Sequence, residues 1–363
     1  MKPKDTTPLV SIVEPLLAWY EQNRRPLPWR ESPTPYHVWL SEIMLQQTRI
    51  EAVIPYYERF LTAYPTVADL ASAEDEMLMK LWEGLGYYSR ARNLKKAARQ
   101  IVEQHGGELP ASYGALRALP GIGAYTAGAI ASISFGLPEP AVDGNVLRVI
   151  TRLTADESDI TKEATKKSVT EALRNVYPTT PREAAAMTQA LMELGERVCI
   201  PNGEPHCADC PLGLLCRARA HDLTDRIPVR APKKPRRIEK RTVLLITANG
   251  KIALVKRPDT GLLAGLWEFP CMPDHVDESA VSEYLTEGGL SPLSLSRNVD
   301  ATHIFTHIEW HMQSYAAVCD REITHWDGRP LVYVTPSELT RDYAVPTAYR
   351  VYVRAVLDFA STP

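Results

Sequence analysis

The sequence predicts a multi-domain protein, an all-α domain followed by a smaller α+β domain, and three observations carry that prediction. From about residue 9 to 220 apolar residues recur at three- and four-residue spacing, and after that the pattern turns to short strand-like runs. The basic, proline-rich stretch Arg230-Ala231-Pro232-Lys233-Lys234-Pro235-Arg236-Arg237 marks the change and reads as an extended, solvated linker. The length of 363 residues exceeds one typical domain, and a hydrophobic content of 45% is enough for ordinary cores. The expected division is a helical domain over 1–222, a linker over 223–240 and a second domain over 241–363.

Within the first domain, Val38-Trp39-Leu40-Ser41-Glu42-Ile43-Met44-Leu45 shows the helical spacing. Breaks are expected at Pro26 to Pro28, Pro55, Pro65, Gly84 to Gly86, Gly106-Gly107, Pro138 to Pro140 and Pro178 to Pro181. In the second domain, Thr242 to Ile246 and Ile252 to Val255 flank Asn249-Gly250, a strong hairpin signal. Strands are also expected at Ser314 to Val318 and Leu331 to Val334, with a final helix near 347–360.

A net charge of −3 excludes a uniformly basic nucleic-acid coat protein, so any DNA contact must use local patches and oriented backbone amides. The start, Met1-Lys2-Pro3-Lys4-Asp5, has no apolar leader, and no stretch is apolar enough to span a bilayer. The expectation is a soluble, intracellular, cytoplasmic protein with no membrane partner, acting as a monomer. Four of the six cysteines cluster as Cys199-(seven)-Cys207-(two)-Cys210-(five)-Cys216, while Cys271 and Cys319 read as free thiols. Four thiolates in one loop suit an iron–sulfur cluster or a zinc ion. Zinc sites more often show two close pairs far apart, which favours the cluster, although His206 offers zinc a further ligand.

Leu119-Pro120-Gly121-Ile122-Gly123-Ala124-Tyr125-Thr126-Ala127-Gly128 combines a glycine turn with the start of a helix, a place where backbone amides meet an anion such as phosphate. A plain helix–helix connector would look the same. About twenty residues later, Asp143 stands in Ala141-Val142-Asp143-Gly144-Asn145-Val146, where it is either a helix N-cap or a catalytic carboxylate. Glu42 lies inside an apolar segment, so it either pairs with Arg49 along one helix face or holds a raised pKa as a general acid. Two carboxylates in separable environments are what cleavage of a glycosidic bond requires.

In combination these motifs resemble the helix-hairpin-helix DNA glycosylases with a C-terminal iron–sulfur loop, the endonuclease III superfamily, and within it the A/G-specific adenine glycosylases. The resemblance rests on Pro28-Trp29-Arg30, on Ser41 to Arg49, on Glu83-Gly84-Leu85-Gly86-Tyr87-Tyr88-Ser89-Arg90-Ala91-Arg92-Asn93-Leu94, on the hairpin and on Val142 to Val146, with the cysteine loop 199–216. It implies a 4Fe-4S iron–sulfur cluster on Cys199, Cys207, Cys210 and Cys216, although this chain has seven residues in the first interval where the family has six. Tyr125 replaces the lysine that gives the endonuclease III branch its Schiff-base lyase chemistry, and Gly144-Asn145 replaces that branch's Thr-His. The resemblance therefore implies a monofunctional enzyme acting on duplex DNA that contains adenine opposite 8-oxoguanine or guanine.

By the same resemblance Glu42 protonates the adenine, Asp143 stabilises the cationic sugar, Asn145 orients Asp143 and water, and Tyr125 lines the site. Arg25, Trp29, Arg30 and Leu45 line the adenine pocket. Gln47 and Tyr87 wedge into the stack, and Thr48 and Leu85 lie near the opposing base. Gly121, Gly123 and Ala124 meet the DNA backbone. The region after residue 240 resembles a Nudix fold through Lys256-Arg257-Pro258 and Gly261 to Pro270, but Asp277 to Leu285 lacks the metal-holding acidic pairs, so recognition is implied rather than hydrolysis. Phe305, Thr306 and His307 take the place of the family's Phe-Ser-His loop, which reads 8-oxoguanine. The competing expectations are an endonuclease III-like pyrimidine glycosylase with lyase activity and a non-catalytic, redox-sensitive DNA-binding protein.

Overall fold

The computed structural model describes residues 7–232 and 235–360. It separates into two compact units, one made of the residues up to Ser72 with Asn93–Pro232, the other of Ala73–Arg92 with the residues after the linker. No helix among the described residues is long and apolar enough to cross a membrane.

The first unit is all-α. Helix α1 (Pro35–Leu45) starts at Thr34, whose side chain accepts from the His37 amide at 3.2 Å, and Val38 to Met44 are all buried. A helix apolar on every side belongs inside a core, which makes the buried Glu42 within it conspicuous. Helix α2 (Ala124–Ile133) follows the glycine turn, and α3 (Gly144–Thr154) begins at Asp143, which accepts from Val146 N at 2.8 Å. Helix α4 (Pro181–Arg197) packs against α3, their shared core including Val146, Leu147, Ile150, Ala190, Leu191 and Leu194. Gly128 and Gly195 are among the positions where close approach needs glycine. A Cβ at Gly128 would lie 2.4 Å from the Pro140 carbonyl oxygen, and one at Gly195 would lie 2.6 Å from Asn145 Cβ.

Pro55 does not break the chain as expected: it sits inside the helix Ile50–Ala63. Burial of Val53, Tyr57 and Phe60 on one face outweighs the lost backbone bond. The segment expected to be linker is also shorter than 223–240. Ile160 N donates to Val229 O at 3.0 Å and Arg152 Nε to Ile227 O at 2.7 Å, so this stretch packs onto the helical unit, and Arg237 already begins a strand. Lys233 and Lys234 fall outside the described residues.

The second unit is α+β. Its strands are β1 (Arg237–Ala248), β2 (Lys251–Lys256), β3 (Trp267–Glu268), β4 (Cys271–Pro273), β5 (Pro292–Arg297), β6 (Ala301–Ile304), β7 (Ile308–Cys319), β8 (His325–Trp326) and β9 (Arg329–Val334). They pair in the order β5-β7-β1-β2-β9-β8, with β1 and β7 parallel from Arg237↔Ile308 to Thr247↔Val318. The turn between β1 and β2 uses positive φ at both Asn249 and Gly250. Alternate residues of β1 serve opposite cores: Val243 and Leu245 pack with Tyr352 and Val356 of α6 (Arg350–Ala360), and Leu244 and Ile246 pack with Val281 and Leu285 of α5 (Glu278–Glu287). Helix α5, in the place expected for a Nudix metal helix, carries Glu278 directly after its N-cap Asp277, then single Glu283 and Glu287, with no Arg-Glu or Glu-Glu pair.

Ala73–Arg92 differs from the expected 1–222 domain by belonging to this second unit. Lys80 Nζ donates to Tyr343 O at 3.0 Å, Val345 N to Glu83 Oε1 at 2.9 Å, and Arg92 Nη1 to Ala264 O at 2.7 Å.

Candidate active site

Helices α1, α2, α3 and α4 enclose a cavity of about 190 Å³ in the first unit. Its walls include Arg25, Trp29, Arg30, Glu42, Leu45, Thr48, Tyr125, Asp143 and Asn145, so nine sequence-derived candidates meet in one place. Glu42 is 6% exposed and accepts a 2.5 Å bond from Tyr125 Oη, which replaces the alternative pairing with Arg49 as the partner this geometry provides. Burial drives the Glu42 carboxyl up to about 7; the Tyr125 bond opposes this, the Asp143 charge adds to it, and Arg30 opposes it. The carboxyl therefore holds or releases a proton near neutrality, as a general acid must.

Asp143 is an N-cap, as one reading of it expected, and it also lines the cavity. Oδ1 accepts from Val146 N, and Oδ2 accepts from Asn145 Nδ2 at 2.9 Å. Burial raises its pKa, opposed by those bonds and by Arg148. Its hydrogen-bonded setting differs from the drier one around Glu42. One fold thus keeps two carboxyls in different environments facing one space.

The sequence reading missed Glu193, Glu196, Gln189 and Met192, which α4 contributes to the same cavity. Glu193 is 1% exposed and takes Arg25 Nε at 2.5 Å and Arg30 Nη2 at 2.8 Å. Burial pushes its carboxyl up, but the two arginines outweigh burial and hold it below the ordinary carboxylate range. Arg25 and Arg30 are accordingly fixed by ion pairs at the cavity wall. A lone carboxylate among Ala190, Leu191, Met192 and Leu194 is the same signal that exposed Glu42, and it was available in the sequence.

The glycine turn presents exposed backbone at the start of a helix, an arrangement that can take an anion. Gly121 has φ +76 and Gly123, the N-cap of α2, has no capping side chain; Gly121, Gly123 and Ala124 are all exposed. A Cβ at Gly121 would meet Asn93 Cβ at 2.7 Å.

The four clustered cysteines are partly buried and reduced. The Cys210 thiol is pushed up to about 11 by burial and then by the charges of Cys199, Cys216 and Cys207, which places all four within electrostatic reach of one another. Among the described residues no three His, Cys, Asp or Glu side chains converge tightly enough for one ion. The loop supplies the four thiols that a cluster takes as thiolates. His206, the extra zinc candidate, is exposed. The donor set fits the cluster. Arg148 links this loop to the cavity, Nε donating to Cys199 O at 2.6 Å and Nη2 to Asn145 Oδ1 at 2.8 Å, while Arg152 Nη1 donates to Cys199 Sγ at 3.3 Å.

A second cavity of about 510 Å³ lies within the second unit, lined by Leu85, Tyr87, Arg92, Leu262, His303, Phe305, Thr306 and His307 among others. Leu85 and Tyr87 thus sit with the tip between β6 and β7, whereas Thr48 lines the first cavity. Phe305 is half-buried, its ring 4.8 Å from Trp310 and 4.5 Å from His303, so it anchors the tip while Thr306 and His307 are exposed. Gln47 is exposed and lines neither cavity. Gln47 and Tyr87 share one feature, φ of +59 and +47, an unfavourable backbone for residues with side chains.

Two family descriptions match the chain: HhH-GPD superfamily base excision DNA repair protein over residues 40–175, and NUDIX domain over 241–355. Adenine DNA glycosylase of Mus musculus is 35% identical, covering 87% of this chain and 72% of its own; that of Homo sapiens is 35% identical, covering 96% and 75%. The chain belongs to the adenine DNA glycosylase family. The Arabidopsis thaliana member is 37% identical over 81% of this chain and 55% of its own. Among solved structures, a thermostable thymine-DNA glycosylase matches with a TM-score of 0.53 at 26% identity, covering 59% of this chain and 98% of that one. A non-covalent endonuclease III–DNA complex matches at 0.51 and 25%, covering 60% and 98%. In this chain the helical fold shared with those proteins carries Tyr125 facing Glu42.

Proposed function

We propose that this protein excises adenine opposite 8-oxoguanine or guanine in duplex DNA and leaves the strand intact. The observation that carries the reading is the pair Glu42 and Asp143 in one cavity, one buried and poised near pH 7, the other capped and hydrogen-bonded. A flipped adenine enters beside Trp29 and Leu45, and the acceptor-rich wall of Glu193 and Glu196 suits its exocyclic amine. Glu42 gives its proton to N7 of the imidazole ring, so the N9–C1′ bond can break with its electron pair going to N9 of a neutral base. Asp143 stabilises the positive charge left on the sugar, and water adds at C1′ and gives up a proton to the Glu42 carboxylate, which restores the acid. Asn145 holds Asp143 in place. Tyr125 offers no amine, so no Schiff base forms.

Cys199, Cys207, Cys210 and Cys216 would hold a 4Fe-4S cluster, which when bound cross-links the 199–216 loop and supplies a fixed redox-active charge there. Gly121, Gly123 and Ala124 would take a backbone phosphate, Gln47 and Tyr87 would enter the stack, and Thr48, Leu85, Phe305, Thr306 and His307 would surround or support the opposing base.

The test is a duplex carrying adenine opposite 8-oxoguanine, incubated with the protein and then heated in alkali. Strand breaks that need the alkali are expected. Their absence overturns the reading, and a protein–DNA adduct trapped by borohydride would overturn the monofunctional assignment.

A further inference from the structure

Three arginines of the second unit converge on one carboxylate. Arg241 from β1, Arg257 just after β2 and Arg329 at the start of β9 surround Glu268 of β3. Arg257 Nη1 donates to Glu268 Oε2, Arg329 Nη1 donates to Oε1 at 3.2 Å, and Arg241 Nη1 stands 3.9 Å from Oε2. Tyr349 Oη also donates to Oε2, at 2.6 Å. The Arg241 guanidinium lies 3.8 Å from the ring centre of the fully buried Trp310, and Arg257 Nε donates to Leu262 O at 3.0 Å. All three arginines line one open cavity of about 860 Å³. Their side chains keep only 12–26% of their surface, so they are largely dry yet reachable.

A buried carboxylate needs partners, and one forked guanidinium meets that need. Three of them leave an excess of two positive charges in a partly dry place, which costs free energy until an anion opposes it. The other charged groups of the wall do not supply that anion. Glu239 accepts from Trp310 Nε1 at 2.9 Å and from Arg237 Nη2 at 2.5 Å, and the charge of the exposed Asp274 is offset by that of the exposed Lys240. We propose that Arg241, Arg257 and Arg329 form a phosphate-binding site, in which the guanidiniums grip the anion directly and no metal ion mediates. Each guanidinium carries five N–H donors in a rigid fork that matches phosphate oxygens. No glutamate of α5 lines this cavity, and Glu268 is already enclosed by cations, so a metal would find no carboxylate to hold it. Arg241 covers the buried Trp310, so the site takes a phosphate rather than stacking a base. The phosphate belongs to the DNA backbone or to a free phosphorylated molecule, which present the same oxygens. Because the arginines are held before the ligand arrives, little ordering remains to be done on binding.

The experiment titrates the full chain calorimetrically with inorganic pyrophosphate in buffer containing EDTA. Parent, Arg329→Gln, Arg329→Lys and Lys251→Gln, which lies outside the cavity, are compared, with melting temperatures to verify folding. Saturable binding is expected in the parent, weaker by at least about tenfold in Arg329→Gln, the size of one charge-assisted hydrogen bond, and unchanged in Lys251→Gln. Arg329→Lys keeps the charge but loses the fork, so it is expected to bind more weakly than the parent, and it carries the test if Arg329→Gln does not fold. No saturable binding by the parent, a requirement for magnesium, or parental affinity in both Arg329 variants would overturn the proposal. Competition with a matched duplex then separates the two sources. Pyrophosphate that displaces the duplex from the parent but not from Arg329→Gln assigns the site to the DNA backbone, whereas duplex binding that neither pyrophosphate nor the substitution weakens assigns it to a free phosphorylated ligand. None of these readouts requires excision, so this site and the excision chemistry stand or fall separately.

Discussion

Replacing Glu42 by glutamine tests whether the cavity stores free energy for chemistry. The carboxyl would ionise near 4.5 in an open chain, and burial moves it to about 7. At about 1.4 kcal/mol per pH unit, the folded protein above pH 7 carries about 3 kcal/mol of destabilisation from this one charge. The sign follows from the raised folded value: below 4.5 the group is protonated in both states and contributes no penalty, between 4.5 and 7 the penalty grows, and above 7 it is complete. Glutamine is never charged, and its amide oxygen still accepts from Tyr125 Oη. Glu42→Gln is therefore expected to melt higher than the parent at pH 8, by about 6–10 °C for a unit of this size, with the gain shrinking toward zero near pH 4.5. Excision should meanwhile fall at least about 100-fold, the ordinary contribution of a general acid. Differential scanning at pH 4.5, 6 and 8 reads the first effect and the alkali assay the second. A stability gain independent of pH, or a loss at pH 8, would refute the reasoning.

The excision rate should decline as pH rises through about 7, because Glu42 must carry its proton, and a rate that kept climbing to pH 9 would remove it as the acid. In Tyr125→Phe the carboxylate loses the bond that lowers its pKa, so the alkaline limb should move to higher pH while the folded protein survives. Asp143→Asn should retain the cap on Val146, changing stability by less than about 1 kcal/mol, yet should lower excision by about 100-fold or more; equal losses in both would make Asp143 a structural residue only. Gly128→Ala forces a Cβ to 2.4 Å from the Pro140 carbonyl and should destabilise the helical unit by about 2 kcal/mol, read by urea denaturation. Cys199→Ser should abolish visible absorbance near 400 nm in anaerobically purified protein, and a colourless parent would remove the cluster.

Much of this protein was legible without a fold. The glycine turn at Gly121 and Gly123, Asp143 before Gly144, and the cysteine loop are local patterns whose residue types answer to local backbone geometry, so sequence alone specified them. The switch from helical to strand-like spacing and the Asn249-Gly250 turn are equally local, because periodicity and positive φ are properties of a few consecutive residues. Convergence was decided elsewhere. That Glu42, Tyr125, Asp143 and Glu193, drawn from four helices, share one cavity depends on long-range packing through Gly128 and Gly195. The parallel pairing of β1 with β7 joins strands more than sixty residues apart, which no window of sequence encodes. The same holds for Ala73–Arg92, which lies among helices in the chain but packs with the sheet, because Lys80, Glu83 and Arg92 find their backbone partners there. Residue types set what each part could do; tertiary packing, which buried Glu42 and raised it to about 7 while setting two arginines against Glu193 that hold it low, decided how each one ionises.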